Sequence, residues 1–275
     1  MIWPPFHSEN RLAVDPLQAF LQAVACHQEG RLQEAERLYE VVIKADDRHF
    51  DSLVRLGTIR LQQAQLEEAA ALFHRAIAVD RNSAEAHHHL AFALTGLQRL
   101  EEAVGHYERA LLIDPDFPEA QNNIGHALQA LGRLEEAMVH YEAALAIRPS
   151  YPEAYNNIGN ALHLLGRHEE AIERYERALR IRPDYAEAHW NHGNALRALA
   201  RRDEAIASYE KALGVRPNYP EAHNSLGNTL LELGRADEAI AHYEQAIALK
   251  PDYADAHINL DNALRAVAGP AWLPQ

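Results

Sequence analysis

Seven alanines stand 34 residues apart, at positions 35, 69, 103, 137, 171, 205 and 239, without a single insertion between them. Four residues after each comes an aromatic ring: Tyr39, Phe73, Tyr107, Tyr141, Tyr175, Tyr209 and Tyr243. Proline keeps the same period at 115, 149, 183, 217 and 251, with Asp47 and Arg81 in that column earlier in the chain. A strict period of this length means that one supersecondary unit is copied and stacked, so the core is built between neighbours and not around one centre.

Each unit carries two helical stripes. In residues 118–151, Ala120, Ile124, Ala127, Leu128 and Leu131 fall at i, i+3, i+4, i+7 spacing, and Leu134, Ala137, Met138, Tyr141, Ala144 and Leu145 form the second stripe. Gly132 lies between them, and Gly30, Gly166 and Gly234 share its column, where a left-handed residue ends the first helix. The turn is therefore short and the pair antiparallel. Gly57, Gly125, Gly159, Gly193 and Gly227 lie inside the first helix, where glycine costs about 1 kcal/mol relative to alanine; close helix approach is the expected compensation. Asn82, Asp116, Ser150, Asp184, Asn218 and Asp252 each precede an acidic residue by three positions, a capping-box spacing that predicts them as helix N-caps. Their partners Glu85, Glu119, Glu153, Glu187, Glu221 and Asp255 then serve the positive end of the helix dipole, not a metal or a basic ligand.

These columns resemble the tetratricopeptide repeat. Residues 152–185 show the pattern well: Tyr155, Ile158, Gly159 and Leu162 match its first helix, and Ala171, Tyr175, Ala178 and Pro183 its second helix and exit. The resemblance implies an all-α fold, a right-handed superhelical α-solenoid of antiparallel helix pairs with a concave groove lined by the first helices. In this frame residues 1–15 form an N-terminal extension. Seven repeats follow at 16–49, 50–83, 84–117, 118–151, 152–185, 186–219 and 220–253, then a capping helix at 254–267 and a tail at 268–275. Asp261 in the glycine column fits an end that no further repeat approaches.

The resemblance also implies which positions face the groove: the second, fifth, sixth, ninth, twelfth and thirteenth of each repeat. There the chain places Asn122, Asn123, His126, Asn156, Asn157, Asn160, Trp190, Asn191, Asn194, Asn224, Asn228, Asn259 and Asn262. A carboxamide both donates and accepts, so a ladder of them can hold the backbone of an extended segment of another protein. The ladder is similar to that of protein O-GlcNAc transferases, where it holds acceptor proteins; the competing reading is that these asparagines tie helix to helix. Earlier repeats put Phe20, Val24, Val54, Thr58, His88, His89 and Phe92 in these columns, suited to an apolar anchor or to a second copy of the chain. No lysine occupies them, against a carboxylate clamp for chaperone tails. With Glu119, Glu153, Glu187, Glu221 and Glu232 close by, side-chain preference should favour neutral or basic segments.

Composition sets the remaining limits. Acidic residues outnumber basic ones 40 to 26, for a net charge of −14, which opposes phosphate binding and argues against a nucleic-acid partner. Cys26 is the single cysteine and falls in an apolar pattern, as suits a reducing compartment. The N-terminal stretch MIWPPFHSENRLAVD does not read as a signal peptide and no window could span a membrane, so a soluble, cytoplasmic protein is expected. Among 17 histidines, His87, His189, His223 and His257 share the fourth column, a packing position, and equivalent residues of adjacent repeats stand too far apart to share an ion. No metal or other cofactor is expected. Phosphate loops and nucleophile elbows are absent, so the chain reads as a non-catalytic scaffold or adaptor. Two other readings stay open: the acceptor-recognition part of a glycosyltransferase system, and a self-assembling scaffold.

Overall fold

The structure is a computed structural model that describes residues 15–268. Among these residues there are fifteen helices and no strand. The stretches read as extension and tail therefore lie outside the described residues, apart from Asp15 and Ala268. Asp15 caps the first helix by accepting from the Leu17 amide at 3.2 Å.

The chain divides into two compact units, one ending at Ala127 and the other beginning at Leu128. The first holds α1 (Pro16–Gln28), α2 (Leu32–Ala45), α3 (Phe50–Gln62), α4 (Leu66–Val79), α5 (Ala84–Gly96) and α6 (Leu100–Ile113), and the division falls within α7 (Pro118–Ala130). The second holds α8 (Leu134–Ile147), α9 (Pro152–Leu164), α10 (His168–Ile181), α11 (Ala186–Ala198), α12 (Arg202–Val215), α13 (Pro220–Glu232), α14 (Ala236–Leu249) and α15 (Ala254–Ala268). Within each unit every helix packs on the next in sequence, and first helices also touch across their partner, as α9 does with α11 and α11 with α13. This is the all-α stack of helix pairs that the period implies.

The expected turn is present in detail. After α9 the Gly166 backbone has φ of 75°, the Arg167 amide donates to the Leu162 carbonyl at 2.9 Å, and the Gly166 amide donates to His163 at 3.0 Å. Those two bonds satisfy carbonyls that the helix end leaves open. Ala64, Gln98 and Ala200 occupy the same column in other repeats and are driven to φ of 57–60° as well. A left-handed residue with a Cβ costs roughly 1–2 kcal/mol, so the packing of the pair imposes the turn even without glycine.

The first-helix glycines answer to the aromatic column. A Cβ on Gly159 would stand 2.5 Å from Tyr175 Cε1, one on Gly193 2.6 Å from Tyr209 Cε1, and one on Gly227 2.6 Å from Tyr243 Cε1. The seven rings are at most 1% exposed, and the alanine four residues before each is fully buried. Small column and large column thus interlock inside each helix pair. Cys26 is buried in the same way, as an apolar residue of α1.

The predicted helix caps are one residue too early. The N-caps of α9, α11 and α13 are Tyr151, Tyr185 and Tyr219, whose side chains make no cap bond, and α5 is capped by Ser83 accepting from the Ala86 amide at 3.1 Å. Proline at the first helical position of α9 and α13 needs no amide partner. The tyrosines instead lie under cations: Arg148 over Tyr151 and Arg182 over Tyr185 at 4.9 Å, and Arg216 over Tyr219 at 4.7 Å. Nor is Glu153 simply a helix-start charge, because it pairs with Arg182 at 2.5 Å.

Candidate functional site

The fifth and sixth columns do not form an open ladder. Asn122, Asn156, Asn191 and Asn224 are buried, between 1% and 8% exposed. Asn191 Nδ2 donates to Asn156 Oδ1 at 3.0 Å and Asn259 Nδ2 to Asn224 Oδ1 at 3.0 Å, while Trp190 Nε1 donates to Ser225 Oγ at 3.0 Å. In the first unit Asn123 Nδ2 meets His88 Nε2 at 3.1 Å. All four pairs join residues 35 apart, the fifth column of one repeat to the sixth of the next. This corrects the expectation that Asn122, Asn156, Asn191 and Asn224 present their carboxamides to a ligand. Adjacent first helices approach closely here, and a carboxamide taken out of water must find a partner. Trp190 is half-buried against Tyr219, with ring centroids 5.7 Å apart.

The ninth column behaves differently. Tyr175, Tyr209 and Tyr243 each donate their hydroxyl to a first-helix asparagine, to Asn160 Oδ1 at 2.7 Å and to Asn194 and Asn228 Oδ1 at 2.8 Å. Burial drives the Tyr175 phenol upward and holds those of Tyr209 and Tyr243 at about 12, so these rings stay protonated donors. Each asparagine is half-buried, its oxygen is spent, and its Nδ2 has no partner among the described residues. The same positions elsewhere are exposed, His126 in α7 and Asn262 in α15, and Asn157 is half-buried.

The bond from Tyr175 to Asn160, repeated twice more, has a direct consequence for mutagenesis. Replacing Asn157, Asn160, Asn191, Asn194 and Asn228 by alanine removes three helix-to-helix bonds of the ninth column and strands the buried Asn156 oxygen. The carboxylates near this face are also engaged: Glu153 with Arg182, Glu221 with Lys250 at 4.0 Å, and Glu232 with Arg197 at 3.0 Å and Arg202 at 2.8 Å. The expected acidic bias of the face is reduced to that extent.

In the first unit the groove columns are mostly packing residues. Val54 is buried, Phe20 packs on His49 with centroids 4.8 Å apart, and His88 packs on Phe117 at 4.6 Å. Phe92 stands out at 50% exposed. The fourth-column histidines hold the preceding turn through Nε2: His189 donates to the Pro183 carbonyl at 2.8 Å and His257 to Pro251 at 2.9 Å. Two of this column, His87 and His223, also meet a histidine of the second helix through Nδ1, a pairing that the spacing of 19 residues announces and that comparison of adjacent repeats misses. Among the described residues no group of three or more His, Cys, Asp or Glu side chains is placed to hold a metal ion, and no helix is long and apolar enough to cross a bilayer.

Models of the tetratricopeptide repeat match residues 27–91, 93–132, 116–184, 150–218 and 191–254. The chain belongs to the tetratricopeptide repeat family. Among curated proteins none matches its sequence. Solved structures share the fold: a chain of the APC/C hetero-tetramer Cut9–Hcn1 superposes with a TM-score of 0.76 at 19% identity, over 94% of this chain and 50% of that one. This chain therefore spans half the length of that relative. A tetratricopeptide repeat protein from Parabacteroides merdae gives 0.75 at 16% identity, over 91% of this chain and 99% of that one. YrrB, described as a tetratricopeptide repeat protein with an unusual peptide-binding site, gives 0.52 at 23% identity over 69% and 97%. This tetratricopeptide repeat protein is accordingly built as a protein-interaction scaffold, a stack whose framework columns are spent on packing and whose remaining first-helix positions vary.

Proposed function

We propose that the chain is a non-catalytic adaptor that holds an extended segment of another protein against the first helices α9, α11 and α13. The observation that carries this reading is the ninth column. Three carboxamides at a spacing of one repeat are fixed by a tyrosine hydroxyl on their oxygen and keep their N–H donors unspent. Donors repeated in this way suit the carbonyls of an extended backbone, which every peptide offers whatever its side chains. YrrB, a relative by fold, carries a peptide-binding site, which supports the class of ligand.

The test separates binding from folding. Asn160→Asp, Asn194→Asp and Asn228→Asp together keep an acceptor for each tyrosine hydroxyl and replace each N–H donor by a charged acceptor oxygen. An array of unstructured peptides, followed by fluorescence anisotropy on those that bind wild type, should show at least tenfold weaker binding by the triple variant, with the melting temperature kept within a few degrees. Equal affinity of the two proteins would refute the role of these residues.

A further inference from the structure

Two histidine pairs on one set of columns look like the same device built twice. In the first unit His87 Nδ1 lies 3.0 Å from His106 Nδ1, and in the second His223 Nδ1 lies 3.0 Å from His242 Nδ1. The ring centroids are 5.3 Å apart in both, with interplanar angles of 29° and 31°. In both, the first-helix ring has its other nitrogen on a main-chain carbonyl six residues earlier, His87 Nε2 to Arg81 at 3.3 Å and His223 Nε2 to Pro217 at 3.2 Å. A carbonyl only accepts, so Nε2 carries the proton and Nδ1 keeps its lone pair, aimed at the partner ring. Fixing of one ring nitrogen by a carbonyl is what orients a metal-binding imidazole.

We propose that each pair is a two-imidazole clip for a divalent late-transition ion of tetragonal preference, Ni2+ or Cu2+, with water in the remaining positions. The metal replaces the single proton that now bridges the two nitrogens. His106 and His242 take up the tautomer protonated on Nε2, and both Nδ1 lone pairs face the ion. Imidazole nitrogens suit Ni2+ and Cu2+ among the divalent ions, and these ions accept two such ligands cis. Two nitrogens at about 2.0–2.1 Å from one ion are about 3 Å apart when they sit cis at about 90–95°, and roughly 3.3–3.4 Å apart at a tetrahedral angle. The observed 3.0 Å is the length of the hydrogen bond that now joins the rings, and a small turn of either ring lets both nitrogens reach one ion held cis, off the line between them.

The first clip also opens on a surface cavity of about 620 Å3, lined besides the pair by His74, Gly105, the cations Arg81 and Arg109, and Glu102, which is paired with Arg99 at 2.7 Å. Gly105 is exposed inside α6, and a Cβ there would meet nothing within 4 Å. No packing demand accounts for a glycine at that point, and its absence of side chain leaves the approach to the rings clear. The expectation of no metal took His87 and His223 as packing residues and found equivalent histidines of adjacent repeats too far apart; a pair within one repeat escapes the second argument.

A third pair provides the control. His163 Nδ1 lies 3.0 Å from His168 Nδ1, but among the described residues no carbonyl meets the other nitrogen of either ring. The experiment uses the full chain without a histidine tag, titrated with Ni2+ in a calorimeter at pH 7.5. Two sites are expected. His106→Gln and His242→Gln, which can still bond to His87 and His223, should each abolish one site or weaken it at least tenfold, and together remove both along with the rise in melting temperature that Ni2+ gives the wild type. His163→Gln should leave the number of sites at two. The proposal fails if wild type binds no Ni2+, if the double variant keeps two sites, or if the loss of His163 matters as much as the loss of His106.

Discussion

Gly159→Ala tests the interlock of glycine and tyrosine that sets the spacing within a repeat. In a helix interior the change by itself is favourable by about 1 kcal/mol. The new Cβ, however, would lie 2.5, 2.8 and 2.9 Å from three atoms of the Tyr175 ring, where carbon atoms normally rest about 3.5–4.0 Å apart. The ring must retreat by roughly 1 Å, yet it is 1% exposed and its hydroxyl is held by Asn160 at 2.7 Å. Overpacking of this kind costs about 1–3 kcal/mol, so the net effect is a loss of about 1 kcal/mol. Ala23 and Ala91 occupy the same column of two other repeats and are fully buried, which bounds the cost: the stack can be assembled around a methyl group. Gly105→Ala supplies the reference, since a Cβ there meets nothing, and should stabilise by about 1 kcal/mol. The difference between the two variants, about 2 kcal/mol, isolates the packing term because the helix preference cancels. Urea unfolding followed by circular dichroism at 222 nm measures it. A Gly159→Ala protein as stable as the Gly105→Ala protein would refute the claim that the Tyr175 ring crowds a methyl group at this position.

Asn191→Ala should lower stability by about 1–3 kcal/mol, because it leaves the 1%-exposed Asn156 with an unpaired oxygen, and the double change of Asn156 and Asn191 to alanine should cost less than the sum of the singles; thermal melts of the three variants check it. His192 lies between α11 and α12 with Nδ1 on Ser208 at 3.0 Å and a buried Nε2 that has no partner among the described residues, and burial lowers its pKa from 6.5. The unfolded chain therefore binds the proton more readily, and stability is lost progressively as pH falls below about 6.5. His192→Leu should be as stable as wild type or more so at pH 7.5 and show a shallower loss between pH 6.5 and 5 in melting temperatures recorded across that range; an unchanged slope would count against it.

The framework was legible because each of its columns answers to a local rule. The alanine and aromatic columns follow from helical spacing, and Gly132, Gly166 and Gly234 from the geometry of a helix end. The caps went astray by one residue because Ser150 and Asp184 offer the right side chain at a position where proline or alanine starts the helix one step later. The asparagines divided in a way that composition cannot express. Asn156 and Asn160 are the same residue four positions apart in one helix. The first is spent on the next repeat and the second on the tyrosine of its own.

By itself, then, the sequence determined the unit, its period and the pairing of helices, since these depend on contacts within about one repeat. The tertiary structure decided which polar groups remain for a partner. A carboxamide or an imidazole is satisfied by whatever lies opposite it, and for the asparagine columns and the two paired histidines that is a residue 15, 19 or 35 positions away, brought close only when helices pack.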